Sequence, residues 1–115
     1  MPPREWRLRV QDILEAIASI RQFTAGLTFE TFTADEKTVA AVAYYFTVIG
    51  EAVRHVPAAV QRRHTQIPWA SMRAMRNVVV HEYAELDHAV LWDTSQNDLP
   101  PLVPLLRAVL QEEQP

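Results

Sequence analysis

Cysteine is absent from this chain, which excludes disulfides and thiolate metal sites. No apolar run approaches the roughly 18 residues of a membrane helix, and the opening Met-Pro-Pro-Arg-Glu-Trp carries an acid and no apolar h-region. Neither a membrane span nor a secretory signal is therefore expected, and a cytoplasmic location is the default. Glycine is nearly absent, with only Gly26 and Gly50, so there is no Gly-rich loop to cradle a nucleotide phosphate and no kinase-like or P-loop chemistry. The His-Glu-x-x-His zinc pattern is missing too, and no segment alternates with the two-residue period of a strand.

What remains is helical. The chain has 115 residues, 49% of them hydrophobic, enough for a single domain spanning 1–115 that buries roughly 60–70% of its unfolded surface. Trp6, Val10, Ile13, Ile17 and Ile20 recur at spacings of three and four, which predicts a helix from Arg4 to Phe23 with Gly26 as its left-handed stop. Thr28 to Phe32 reads as a short turn, and Thr33-Ala-Asp-Glu36 as a capping box for a second long helix reaching about His55. That helix carries Val39, Val42, Phe46, Ile49 and Val53 on a matching stripe, so the two should pack as an antiparallel pair. Gly50 lies inside it at a cost of about 1 kcal/mol relative to alanine, which close approach of another backbone would offset. Pro57 begins a short helix, Pro68 opens a helix through Tyr83, Asp87 caps one through Trp92 and Thr94, and Asn97 to Pro101 starts the last. The fold class expected is an all-α bundle of four to five helices.

Charge is unevenly distributed along this chain of net charge −3. From Ala52 to His81 there are five arginines (Arg54, Arg62, Arg63, Arg73 and Arg76) and three histidines, with no Asp or Glu. Such a run can be an ordinary solvated face. It can also be an anion-facing surface, since the planar guanidinium fork bonds two phosphate oxygens at once, and Arg54, Arg62, Arg63 and Arg73 are its candidate RNA contacts.

Within that segment, Trp69 to Tyr83 sets Arg76, Asn77, His81 and Tyr83 among valines and methionines. On one helix at about 100° per residue, Arg76 and Tyr83 share a line and Asn77 and His81 form an adjacent i,i+4 pair. An imidazole beside a permanent cation is the minimum for RNA cleavage without a metal cofactor: His81 could move a proton at the ribose or the leaving oxygen, and Arg76 could hold the phosphate charge. Asn77 could orient His81. One histidine supplies one proton transfer, so a symmetric dimer would complete the site. Each residue also has a structural alternative: His81 as a helix packing residue, Arg76 paired with Glu82 or Glu85, Tyr83 as a half-buried ring with its hydroxyl at the surface. Glu51 and His55 form a further i,i+4 pair, read as a surface contact.

Arg76-Asn77-Val-Val-Val-His81-Glu-Tyr83 resembles the Arg-x4-His-x-Tyr signature of the HepT-like toxins of the HEPN ribonuclease superfamily. Ile49-Gly50-Glu51-Ala52, Ile67-Pro68-Trp69 and Leu99-Pro100 resemble further segments of that family in the same order. The resemblance implies a HEPN-like homodimer whose facing motifs form one metal-independent endoribonuclease site, with cellular RNA, tRNA first, as substrate and no cofactor. It also implies a toxin–antitoxin pair in which a minimal nucleotidyltransferase transfers AMP to the motif tyrosine. Transferred residue by residue, Arg76 and His81 are catalytic, Asn77 supports them, and Tyr83 is the AMPylation site. Tyr44-Tyr45 departs from the Arg-Asn common in relatives, and either ring could stack on a base instead. The alternative is a non-catalytic helical binding or scaffold subunit for a nucleotidyltransferase; a degenerate, inactive relative is a third reading, disfavoured by the intact motif.

Overall fold

The computed structural model describes residues 3–77 and 86–113, all helix and connecting turn. Among the described residues there are seven α-helices: α1 Pro3–Thr24, α2 Phe29–Thr33, α3 Glu36–Val53, α4 Ala58–Arg63, α5 Trp69–Ala74, α6 His88–Asp93 and α7 Leu102–Glu112. A π-helical turn, Thr94–Asp98, follows α6 directly. The all-α class expected from the periodicity is the class observed. The number of helices exceeds the expected four to five because the connections themselves coil into elements of five and six residues.

The two apolar stripes make the core. Trp6, Val10, Ile13, Ile17 and Ile20 of α1 and Val39, Val42, Phe46, Ile49 and Val53 of α3 are all buried, and the α1–α3 contact is the most extensive between elements. α3 is the shared element, because it also packs against α2, α5 and α6. Leu106 and Val109 of α7 join the same core, with Leu91 of α6 and Leu99, which follows the π-helical turn.

The ends of the helices show which local signals governed. Gly26 takes φ 78° after α1, the left-handed conformation expected of a glycine stop. The capping box falls elsewhere than expected: Thr28 and Thr31 form one at α2, while α3 is capped by Asp35, whose side chain accepts from the Thr38 backbone N–H at 3.3 Å. Two hydrogen bonds from Thr38 hold the Asp35 carboxyl below its ordinary value. Thr33 is instead turned to the Nδ1 of His88, tying the α2 end to α6. Asp87 caps α6 as expected, accepting from the Val90 N–H at 3.1 Å. The last helix begins at Leu102, later than the Asn97 region expected, because Asn97 and Asp98 belong to the π-helical turn. Pro104 falls in the first turn of α7, where its missing N–H has no helical partner to lose.

Candidate functional site

The expected helix from Trp69 through Tyr83 is interrupted. α5 ends at Ala74, and Met75 and Arg76 form a turn before helical geometry resumes at Asn77. No glycine or proline marks this break. Its cause is the surface of α3, against which the turn is pressed. A Cβ built on Gly50 would stand 2.7 Å from both Cβ and backbone N of Arg76 and 3.0 Å from the Arg73 carbonyl oxygen. Gly50 thus provides the space in which the Arg73–Arg76 backbone lies against α3. The close approach expected at Gly50 is therefore found, and what approaches is the candidate catalytic arginine itself.

The start of α5 is fixed by its own apolar residues. Ile67, Trp69 and Met72 are buried, and the Trp69 indole N–H donates to the His64 carbonyl at 2.9 Å, closing the α4–α5 connection. With one end pinned by Trp69 and the other seated on Gly50, α5 delivers Arg76 to a defined place on α3.

The residue after Gly50 receives it. Arg76 Nε lies 2.7 Å from Glu51 Oε1, and Arg54 Nη1 lies 3.4 Å from Glu51 Oε2. One carboxylate therefore bridges two guanidinium groups and leaves the cluster with a net single positive charge. All three side chains are roughly half exposed, so the cluster is open to a ligand and its ion pairs contribute little to stability. The Glu51–His55 pair expected from helical spacing is not among the described ion pairs; Glu51 is engaged by Arg54 and Arg76.

The other candidate RNA contacts divide. Arg62 and Arg73 are exposed and line a shallow depression of about 470 Å³ between α4 and α5. Arg63 is committed elsewhere: its Nε donates to Glu113 Oε2 at 2.8 Å and its Nη2 lies 2.5 Å from Oε1. His64 Nε2 lies 3.0 Å from the same Oε2. The Arg63 guanidinium, with His64 second, draws the Glu113 carboxyl down to about 2, and the carboxylate in turn raises Arg63. The segment that is free of acid in sequence is thus not free of acid in space. Glu51 and Glu113 reach three of its five arginines.

Asn77 is exposed immediately after Arg76. His81 and Tyr83, with Val78 to Val80, lie outside the described residues. Tyr44 and Tyr45 part company on α3. Tyr45 is half-buried with its ring 6.0 Å from Phe23, whereas Tyr44 is 61% exposed and meets Tyr45 edge-on at 5.2 Å. Of the two, Tyr44 is the ring a base could reach. No described helix is long and apolar enough to cross a membrane.

Comparison with known proteins agrees with the motif. The family model described as Ribonuclease HepT-like matches residues 13–109. A protein of Thermococcus cleftensis named "Probable ribonuclease HepT" is 42% identical over 93 residues, covering 81% of this chain and 84% of that protein. A protein of Methanocaldococcus jannaschii named "Putative RNase MJ0127" is 36% identical over 100 residues, covering 87% of this chain and 83% of that one. No solved structure matches the chain. The matched region contains α3, the Gly50 seat and the whole Arg76–Tyr83 motif, and the chain belongs to the HepT-like ribonuclease family.

Proposed function

We propose that this chain is the toxin of a toxin–antitoxin pair, a metal-independent endoribonuclease acting on cellular RNA, with tRNA as the first substrate to test. The observation that carries the reading is the seating of Arg76. A cation five residues before His81 is held on α3 by Gly50 and Glu51, beside a second cation, Arg54, on a half-exposed surface. That is a place for a phosphodiester, and family membership supplies the matching reaction class.

In this mechanism Arg76 binds the scissile phosphate and stabilises the charge that grows on its non-bridging oxygens. One imidazole accepts the proton of the ribose 2′-hydroxyl as that oxygen attacks phosphorus. The bond to the 5′-oxygen breaks, and a second imidazole gives that oxygen a proton. The products are a 2′,3′-cyclic phosphate and a free 5′-hydroxyl. Two copies of His81, one from each protomer of a homodimer, fill the two proton-transfer roles. Asn77, next to Arg76, supports the site by hydrogen bonding. The partner is a minimal nucleotidyltransferase that transfers AMP to Tyr83, placing bulk and negative charge beside the cation that RNA must reach.

Tightly regulated expression of the wild type and of His81→Ala, without a partner, tests the proposal. Arrested growth and trimmed tRNA with the wild type alone are expected. Equal harmlessness of two soluble proteins would favour a non-catalytic subunit for the nucleotidyltransferase.

A further inference from the structure

Glu51 presents an acid at the place where a ribonuclease must bind an anion. An acid there repels phosphate, and a half-exposed ion pair returns little stability for it. The geometry gives it a different use. Arg76 is engaged through Nε, the inner nitrogen of the guanidinium, on the side nearest its own chain. With Nε engaged, the outer edge of the fork, formed by the two terminal amino groups, is the remaining edge that can bond two phosphate oxygens together. The second Glu51 oxygen draws Arg54, three residues on and just past the end of α3, toward the same point. Gly50, the preceding residue, removes the side chain that would otherwise push Arg76 off the helix.

We infer that Glu51 is a positioning residue of the ribonuclease site: its carboxylate orients the Arg76 fork outward and gathers Arg54 beside it, making a two-arginine clamp for one RNA phosphate. The inference rests on the ribonuclease reading of Arg76 given above. Glu51 touches no RNA in this account and acts through the two arginines. Its negative charge is tolerated because an unheld arginine samples many rotamers, and catalysis depends on the one that meets the developing charge.

The test is Glu51→Gln in the full-length protein, alone and combined with Arg76→Ala, with three readouts. Thermal unfolding should be unchanged for Glu51→Gln, which keeps the size of the side chain. Cleavage of RNA at saturation should fall about tenfold or more in kcat, while KM stays within about threefold, because the lost clamp and the lost repulsion oppose one another. In the Arg76→Ala background the same change should have no further effect on kcat, since a positioning residue has nothing left to position. An acid that merely repels RNA gives the opposite pattern: Glu51→Gln lowers KM, leaves kcat intact and acts equally in both backgrounds. That result would overturn the inference.

Binding to a single-stranded 2′-O-methyl RNA, which the proposed mechanism cannot cleave, separates this inference from the ribonuclease reading. Each phosphate contact on a single strand contributes about 0.7 to the slope of log K against log salt. Arg54→Ala should make that slope shallower in the otherwise wild-type protein, by at most about 0.7 because the clamp holds one phosphate, and should leave it unchanged in Glu51→Gln, where Arg54 is no longer gathered onto that phosphate. If the wild type cleaves no RNA, the ribonuclease reading fails while this difference between the two backgrounds still supports the clamp. An Arg54→Ala effect that is absent from the otherwise wild-type protein, or equal in both backgrounds, overturns the clamp whatever the cleavage result.

Discussion

Gly50→Ala is the smallest perturbation that separates the position of Arg76 from its chemistry. The added methyl would lie 2.7 Å from Arg76 Cβ and from its backbone N, against an optimal carbon separation of about 3.5–4.0 Å. The clash is with backbone, so rotamer change cannot relieve it, and the Arg73–Arg76 turn must lift from α3 by about 1 Å. Overpacking of this kind costs about 1–3 kcal/mol. Replacing glycine by alanine inside a helix returns about 1 kcal/mol. The net loss of stability is therefore about 0–2 kcal/mol, a fall in Tm of no more than about 8 °C at roughly 4 °C per kcal/mol for a domain of this size. Activity should respond far more strongly, since a displacement of about 1 Å can cost on the order of a hundredfold in rate. Initial rates of RNA cleavage, taken well below the Tm of each protein, measure the effect. Gly26→Ala is the control: Gly26 has a left-handed φ of 78° but nothing within 4 Å of an added Cβ, so it should lose stability and keep its specific activity. Full activity in Gly50→Ala, or a loss no larger than its unfolded fraction explains, would refute the idea that α3 seats the arginine.

Three further outcomes are expected. The Glu113 carboxyl has an ordinary value of 4.5 and is drawn down to about 2 in the folded protein by Arg63 and His64, so its contribution to stability is present above about pH 4.5 and is lost as pH falls toward 2. Thermal unfolding from pH 7 to 2 should show Glu113→Gln less stable at neutral pH and converging with the wild type in acid; parallel curves would remove the Arg63–Glu113–His64 contact from the stability account. Tyr44→Ala should weaken binding of single-stranded 2′-O-methyl RNA by the roughly 1–3 kcal/mol of a base–aromatic stack, while Tyr44→Phe binds as the wild type does. Equal affinity in all three, by fluorescence anisotropy, would mean no base rests on that ring. Tyr83→Phe should remain an active ribonuclease that the nucleotidyltransferase cannot silence, and intact mass showing AMP still added to it would place the modification elsewhere.

The long helices were legible because their signals are local and repeated. Every residue of the α1 and α3 stripes is buried as its spacing predicts, and Gly26 and Asp87 end and begin helices where their chemistry directs. Gly50 was legible in a different way: a residue that disfavours helix implied an unseen neighbour, and the neighbour is Arg76. The break at Met75 and Arg76 was not legible, because Met72, Met75 and Val79 continue a helical apolar pattern and no glycine or proline interrupts it. Packing on α3 overrides that local pattern. The Glu51–Arg76 pair was hidden for a related reason. Helical spacing offers Glu51 the partner His55, whereas the partner in space lies 25 residues away in sequence, on another element. The same limit made the Ala52–His81 segment look free of acid when Glu51 and Glu113 stand against it. Thr33 shows a long-range contact overriding a local cap signal: its side chain meets His88, and Asp35 caps α3 in its place.

The most direct test of the central claim uses purified wild-type protein and His81→Ala, freed of AMP and held in excess chelator, with total tRNA as substrate and denaturing gels as readout. The wild type is expected to cut tRNA in chelator, leaving 2′,3′-cyclic phosphate ends, and His81→Ala, with an unchanged helical spectrum, is expected not to. Equal cleavage by both proteins, or cleavage by the wild type only after a divalent metal is restored, would contradict that claim.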